Sequence, residues 1–365
     1  MNIATSIYTN KELLEALYSE SRKVFYEYTI ANAAGKTLGK LPIEDGRVSF
    51  DSSNDVMRTF SGTTRKSDLL GLENTDFYLT PWMCLEYKND IVRWPLGKFI
   101  VSPSESYSNR LKDVKIIGYD RGKVALDDKI DARLYVAAGS IYTSEAAQLA
   151  ASIYSQVEVV ASEKTGLIPM EWEIGTEKLR IINDLLSAIS YNPFYFNGYG
   201  IGQMNQYIDP YNRPIDRIYQ ANKTSIIIDG LQIETNKFEI PNKFVRYVEN
   251  PDSAYLISSY TNTDPNSPYS TVNRGRTIVD SDSIDNISSQ ADLDSYVRKI
   301  AAETMQATET LIFSTLNMPG HEYRDCLTVS VEEYGIEGKY IETAWEMDLS
   351  RGGIMSHKCQ KVVSL

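Results

Sequence analysis

Four side chains near the C-terminus could bind a metal ion: His321, Cys326, His357 and Cys359. Imidazole nitrogens and thiolates are the usual ligands of structural zinc, and these four lie on adjacent predicted strands. The spacing argues against zinc, because structural sites use closely spaced ligand pairs and the chain has no C-x-x-C. We therefore predict no metal site and interpret both cysteines as ordinary strand residues.

The sequence contains few of the residues and motifs that are typical of enzyme active sites. It has only two histidines, no G-x-S-x-G elbow and no P-loop. Glycosidases need two carboxylates across a cleft, and 49 acidic residues give no basis for choosing a pair. The glycines of GYGIGQM do not lie between a strand and a helix, so they predict a hairpin turn rather than a dinucleotide loop. We predict no catalytic residue, no cofactor and no enzymatic activity.

Two arginines, Arg274 and Arg276, flank a glycine in STVNRGRTIVD and could hold an anion. In an extended segment both side chains would point the same way, and acids that include Asp280 follow at once. A structural ion pair, within or between subunits, is therefore favoured over a ligand site. Arg274, Arg276 and Asp280 are the candidate subunit-interface residues.

A second candidate surface is the aromatic segment YNPFYFNGYG, where Tyr191, Tyr195 and Tyr199 recur every fourth residue. Such rings could form a platform that stacks on sugars. The alternative is a hairpin that packs its aromatic residues into the core. The chain has 25 tyrosines and 10 phenylalanines, and tyrosine is typical both of strands and of protein–protein contacts.

The elements that must position these residues are mainly strands. At 365 residues the chain exceeds the usual single domain of roughly 100–200 residues. Four capping patterns predict the starts of four helices, at Thr9, at Thr143 or Ser144, at Thr176, and at Ser289 with Asp292. After the fourth helix, short β-type runs with Gly-containing turns predict an antiparallel meander. We predict two β-rich domains, 1–131 and 215–365, each with a helix, flanking an α/β middle domain, 132–214.

The overall charge and the terminal sequence exclude several classes of protein. The net charge is −12, and the 37 basic residues are scattered, so the chain should not bind nucleic-acid phosphates. Three widely separated cysteines fit a reduced compartment at synthesis rather than a disulfide framework. The N-terminus lacks the pattern of a signal peptide, and no window of 18 apolar residues predicts a membrane span.

Several segments together resemble tail proteins of long-tailed bacteriophages of Gram-positive hosts. They include FSGTTRKSD, WPLGKFIVS, VKIIGYDRGKVALDDKI, PNKFVRYVENPD, NMPGHEYRDCLTV and YIETAWEMDL, between about Gly46 and Leu365. The chain is similar to the baseplate hub family, known as late control D or tail-associated proteins.

This resemblance implies two tail-tube-like antiparallel β-barrel domains around a smaller α/β domain. It also implies a homotrimer at the tail tip of the virion, where six barrels cap the hexameric tail tube. Its partners would be the tube and distal tail proteins and a fibre or spike, and genomic DNA would pass through without specific binding. Longer members carry lysin or fibre modules after the last strand, and we expect none here. An adhesin for host cell-wall carbohydrate, and less favourably a cell-wall hydrolase, are the alternatives.

Overall fold

The structure is a computed structural model that confirms a mainly β protein, with 43% strand and 19% helix. It describes residues 3–69, 72, 75–101, 113–166, 169–223, 225–235, 238–248, 255–284, 287, 289–306 and 309–363. Within these residues, no helix has the length and apolar character needed to cross a bilayer.

Six α-helices lie in the described parts of the chain. They are α1 Asn10–Tyr18, α2 Gly122–Asp127, α3 Tyr142–Ala151, α4 Lys178–Ser187, α5 Thr271–Arg274 and α6 Gln290–Gln306, with 3-10 turns at Lys66–Leu69 and Glu332–Tyr334.

Two of the predicted helix caps are present as predicted. The Thr9 hydroxyl accepts from the Glu12 N–H, and the Glu12 carboxylate accepts from the Thr9 N–H at 3.0 Å, which completes a capping box. Ser289 caps α6 in the same way, since its hydroxyl accepts from the Asp292 N–H at 3.1 Å. The other two cap predictions are wrong. The Thr176 hydroxyl donates to the Glu173 carbonyl instead, so α4 begins two residues later, without a side-chain cap. Thr143 and Ser144 lie inside α3, which begins at Tyr142 and also has no side-chain cap.

Twenty-two strands make up the rest of the regular structure. The first eight are β1 Lys23–Ala31, β2 Thr37–Lys40, β3 Glu44–Asp51, β4 Arg58–Arg65, β5 Phe77–Tyr87, β6 Asp90–Pro95, β7 Phe99–Val101 and β8 Asp113–Asp120. The middle five are β9 Leu134–Val136, β10 Val157–Val159, β11 Met170–Trp172, β12 Tyr195–Phe196 and β13 Gly202–Met204. The last nine are β14 Arg217–Gln220, β15 Ile227–Thr235, β16 Lys243–Val248, β17 Leu256–Thr261, β18 Val279–Ser283, β19 Glu309–Leu316, β20 Cys326–Val331, β21 Ile336–Asp348 and β22 Ile354–Lys361.

One 14-stranded sheet joins the N-terminal and C-terminal strands. Its main path runs β15-β19-β22-β21-β3-β4-β8-β7-β5-β1-β2, with β6, β14 and β20 attached beside it. The described strands of this path do not close into a barrel. The two separate barrels are therefore not confirmed by the single chain, and the three domain boundaries stay a prediction.

The seam between the two halves is the antiparallel pairing of β21 with β3, from Ala344 opposite Asp51 to Asp348 opposite Arg47. At its centre Trp345 stacks on Phe50, with the ring centroids 5.9 Å apart. Apolar residues of both halves fill one common core beneath the sheet. The halves therefore fold against each other, because burying one apolar sheet face requires the other half.

The C-terminal strands differ from a simple meander. Strands β20, β21 and β22 pair consecutively, but β19 pairs with β22 rather than with β20. The segment from Asn317 to Asp325 must therefore pass from β19 to the far side of the hairpin, and it carries His321 into the core.

Two smaller units pack beside the large sheet. Residues between Ala125 and Met204, with α3 and α4, form a separate core. A second unit, which we call the excursion (238–306), leaves the sheet between β15 and β19. In it, α6 covers one face of the three-stranded sheet β17-β16-β18. Lys164 of the first unit forms an ion pair with Asp292 of α6, which links the two.

Candidate functional site

Both histidines of the chain meet on one buried carboxylate. His321 lies in the segment after β19, His357 lies on β22, and Glu342 lies on β21. The Nδ1 atoms of His321 and His357 are each 2.6 Å from a different carboxylate oxygen of Glu342. All three side chains are buried, so we call them the buried triad.

The outer nitrogens of the triad face two hydroxyl groups. The Tyr219 hydroxyl of β14 is 2.9 Å from His321 Nε2, and the Thr315 hydroxyl of β19 is 2.8 Å from His357 Nε2. Burial lowers the pKa of both imidazoles to about 3, and the nearby Arg217 guanidinium acts in the same direction. Both rings are therefore neutral, and the triad connects four strands and the segment between β19 and β20.

The triad has the residue types of a metal site but the distances of hydrogen bonds. Two ligand atoms on one tetrahedral zinc, each about 2.0–2.1 Å from the ion, lie about 3.3 Å apart. The nitrogen–oxygen separations here are 2.6 Å. Cys326 points elsewhere, with its thiol 4.0 Å from the Pro210 carbonyl, whereas Cys359 lies opposite Glu342 in the strand register. The absence of a metal site stays a prediction.

Arg58 of β4 ties the N-terminal strands to the segment that carries His321. Its guanidinium donates to the His321 carbonyl at 2.9 Å, to the Leu96 carbonyl at 3.2 Å and to the Glu322 carboxylate at 2.6 Å. It also lies over the Trp345 ring, 5.3 Å from the centroid. A buried arginine with this many partners fixes the geometry of the seam, since its planar donors require all of them in place.

Arg274 and Arg276 both donate to backbone carbonyls in the same chain. Arg274 donates to the carbonyls of Ile240 and Phe238 at 2.7 and 2.6 Å, and Arg276 donates to the Phe238 carbonyl at 2.5 Å. The segment is not extended at this point, because Arg274 ends helix α5 and Gly275 follows with φ 61°. The two arginines therefore hold the start of the excursion in place.

Asp280 also has a partner within the chain. Its carboxylate pairs with Arg246 of the neighbouring strand β16, with 3.0 Å between nitrogen and oxygen. The three candidate interface residues are thus used inside the excursion, and a role for them between subunits stays a prediction.

The aromatic segment forms the predicted hairpin, with Tyr195 opposite Gln203 and Phe196 opposite Gly202. Tyr191 is buried and donates to the Val160 carbonyl at 2.8 Å. Tyr195 stacks on Tyr323, with ring centroids 4.7 Å apart. Tyr199 is 64% exposed. The three rings do not share one surface, so a sugar-binding platform stays a prediction that could use Tyr199 alone.

Comparison with known proteins identifies solved structures with a similar fold. No protein-family model matches the chain, and no curated protein matches it either. Solved structures do match. The tail protein from Neisseria meningitidis MC58 has a TM-score of 0.67 at 15% identity, over 92% of this chain and 97% of that one.

Two further structures match over most of their length. The 43 kDa tail protein of prophage MuSo2 from Shewanella oneidensis has a TM-score of 0.60 at 9% identity, covering 92% of this chain and 98% of that one. The prophage tail protein gp18 from Listeria monocytogenes EGD-e has a TM-score of 0.52 at 10% identity, covering 91% and 94%. The chain therefore has the fold of phage tail proteins, which its sequence segments predict.

Proposed function

We propose that the chain is a structural, non-enzymatic baseplate hub protein at the tail tip of a virion. Three copies would cap the tail tube and connect it to the distal tail protein and to a fibre or spike. The observation that carries this proposal is the 14-stranded sheet, which joins both halves of the chain and remains open along its main path. The tail-protein fold of the neighbouring structures supports the same role.

The open end at β15 is the strongest reason to expect self-association. This strand has nine residues and pairs only with β19 on the main path. Ile233 on it is 45% exposed. An exposed edge strand is a template for pairing with another chain. Strand β2 forms the edge at the other end of the path. In a head-to-tail arrangement, β15 of one copy would pair with β2 of the next. Such a contact joins two different surfaces, so it is heterologous and can close a ring.

The solvent-facing side of the sheet fits a channel for DNA. Thr59, Ser61 and Thr63 alternate with buried residues along β4, and Ser49 continues this polar face on β3. Hydroxyl side chains bind phosphate weakly compared with arginine or lysine, and the chain carries a net charge of −12. A ring of three copies would therefore let DNA slide through without holding it.

The trimer is tested by placing a charge on the open edge. We expect the wild-type chain to form a trimer at micromolar concentration, alone or with its distal tail partner. Ile233→Lys should shift it to monomers, because a lysine on an edge strand opposes pairing with another strand. Mass photometry or multi-angle light scattering reports the oligomer directly.

Ile354→Lys is the matched control. Ile354 is 44% exposed and lies at the start of β22, an inner strand of the same sheet, so this variant should remain a trimer. A wild-type chain that stays monomeric with and without its partner would contradict the hub proposal. A trimer that survives Ile233→Lys would reject the β15 edge as its contact.

The non-enzymatic role has its own test. The purified chain should leave host cell walls intact in a zymogram at neutral pH, with a known lysin run beside it as the positive control. The pKa of both histidines is lowered by burial, which leaves neither accessible as an acid or base at a surface. A cleared zone from the purified chain would reverse this part of the proposal.

A further inference from the structure

The small sheet of the excursion is covered by α6 on one face and exposes the other. On the covered face, Phe244 of β16 joins the core, and the Ser258 hydroxyl of β17 donates to the Asp294 carboxylate of α6 at 2.6 Å. Side chains alternate along a strand, so the residues between these point away from α6. We call the exposed surface the outer face. It consists of the register neighbours, on β17 and β18, of three residues of β16, together with those three residues themselves: Lys243, Val245 and Tyr247.

The outer face carries almost no charge. Lys243 is the only charged side chain among its described residues, although 24% of the whole chain is charged. The acids of β18, Asp280 and Asp282, occupy the alternate positions and point to the other side of the sheet, where Asp280 pairs with Arg246. A highly charged partner would therefore find one opposite charge here at most.

Hydroxyl groups take the place of charges on this face. Six of its residues carry one: Tyr247, Tyr255, Ser259, Thr261, Ser281 and Ser283. Within the described part of the chain, none of these hydroxyls is hydrogen-bonded to another residue. Each of them can both donate and accept a hydrogen bond. The face therefore matches a partner that also donates and accepts many hydrogen bonds without being charged.

Two tyrosine rings lie side by side at one end of the outer face. The ring centroids of Tyr247 and Tyr255 are 6.3 Å apart, and their planes differ by 31°. Tyr255 is 65% exposed, and Ile257, the register partner of Tyr247, is 50% exposed. Such rings combine a flat apolar surface with a polar hydroxyl at the rim. They can pack against the C–H groups of a sugar ring while hydrogen-bonding to its hydroxyls.

We propose that the outer face binds an uncharged polysaccharide. The rings of Tyr247 and Tyr255 pack against the apolar faces of the sugar units. The serine and threonine hydroxyls of β17 and β18 exchange hydrogen bonds with the sugar hydroxyls. This binding is additional to a structural role in the tail and does not depend on the number of copies in the assembly.

The chemistry of the outer face disfavours two other classes of partner. Polymers that carry phosphate groups are held chiefly by lysine and arginine, and the face offers Lys243 alone. A protein that covered the face with apolar side chains would bury the six hydroxyls without partners, which is costly. A polysaccharide supplies hydroxyl partners on every sugar unit, so it satisfies the same groups that a protein would leave unpaired.

Binding is tested with the full-length chain and uncharged sugars. An array of oligosaccharides built from glucose, galactose or N-acetylglucosamine is the probe, and titration calorimetry follows with the oligosaccharide that binds most strongly. We expect at least one of them to bind. Tyr247→Ala and Tyr255→Ala should each weaken binding about tenfold, because each variant removes one of the two rings. Since Tyr255 is mostly exposed, its variant should unfold at the same urea concentration as the wild type.

Tyr199→Ala is the matched control. Tyr199 is 64% exposed, much like Tyr255, but it lies in the turn of the aromatic hairpin rather than on the outer face. This variant should bind as strongly as the wild type. Loss of binding in Tyr199→Ala, with binding kept in Tyr247→Ala and Tyr255→Ala, would assign the sugars to the hairpin and overturn the proposal.

Two further results would also overturn it. One is a wild-type chain that binds none of the uncharged sugars, or that binds them less tightly than a phosphate-linked polyol on the same array. The other is a change of oligomer in Tyr255→Ala, measured by light scattering without any sugar, because the outer face would then be a contact between copies. Neither result bears on Ile233→Lys, so the hub proposal is tested separately.

Discussion

Replacing Arg58 with alanine should lower the free energy of unfolding by about 3 kcal/mol, because it removes the buried member of a hydrogen-bonded ion pair and leaves two buried carbonyls without their donor. The Glu322 carboxylate and the carbonyls of Leu96 and His321 would each lose a donor. The contact of the guanidinium with the Trp345 ring would be lost too. Urea unfolding monitored by tryptophan fluorescence measures the change, and Trp345 at the seam reports on it directly.

Arg47→Ala provides the comparison for this prediction. Arg47 also bridges the two halves of the sheet, through an ion pair of 2.9 Å with Glu346, but both side chains are about half exposed. Exposed pairs contribute about 1 kcal/mol or less, so this variant should remain near wild type. If the two alanine variants lose similar amounts, burial does not set the strength of the seam.

Phe244→Ala should unfold the excursion while leaving the large sheet folded. Phe244 is fully buried in the small core that β16 forms with α6, against Leu293 and Val297. Removing a buried phenylalanine costs about 3–5 kcal/mol, which is large for a core with seven buried residues among those the structure describes. Hydrogen exchange should show α6 amides exchanging much faster, with the amides of β21 and β22 unchanged.

Ile257→Ala tests whether the effect is specific to that core. Ile257 lies on β17 of the same small sheet but is 50% exposed, so the substitution should change stability by no more than about 0.5 kcal/mol. Equal acceleration of exchange in α6 and in β22 of the Phe244 variant would mean that the excursion and the sheet unfold as one unit.

The sequence predicts two of the four helix caps correctly. The caps at Thr9 and Ser289 depend on residues three positions apart, so spacing alone reveals them. Helix α5 is different, because its four residues are too few for an apolar period to be visible. The sequence therefore predicts an extended segment at Arg274, whereas in the structure Arg274 ends a turn of helix and donates to backbone carbonyls.

The buried triad could not be predicted for a different reason. Its members lie on three segments that come together only through the strand register. A β-bulge between Glu342 and Ala344 changes which side chains face inward, so Tyr340 and Glu342 are buried before it and Trp345 and Met347 after it. The change of parity in the apolar residues was the available signal. Among 49 acids, nothing else distinguished Glu342.

The two strands that flank the excursion end and begin at residues that pair with each other. Thr235, the last residue of β15, is the register partner of Glu309, the first residue of β19. A short hairpin turn could therefore join these two strands directly without changing their length or pairing. The whole excursion is in this sense a replaceable cassette. A chimeric chain could exchange it for a foreign domain whose termini lie close together, while the large sheet keeps its strand order.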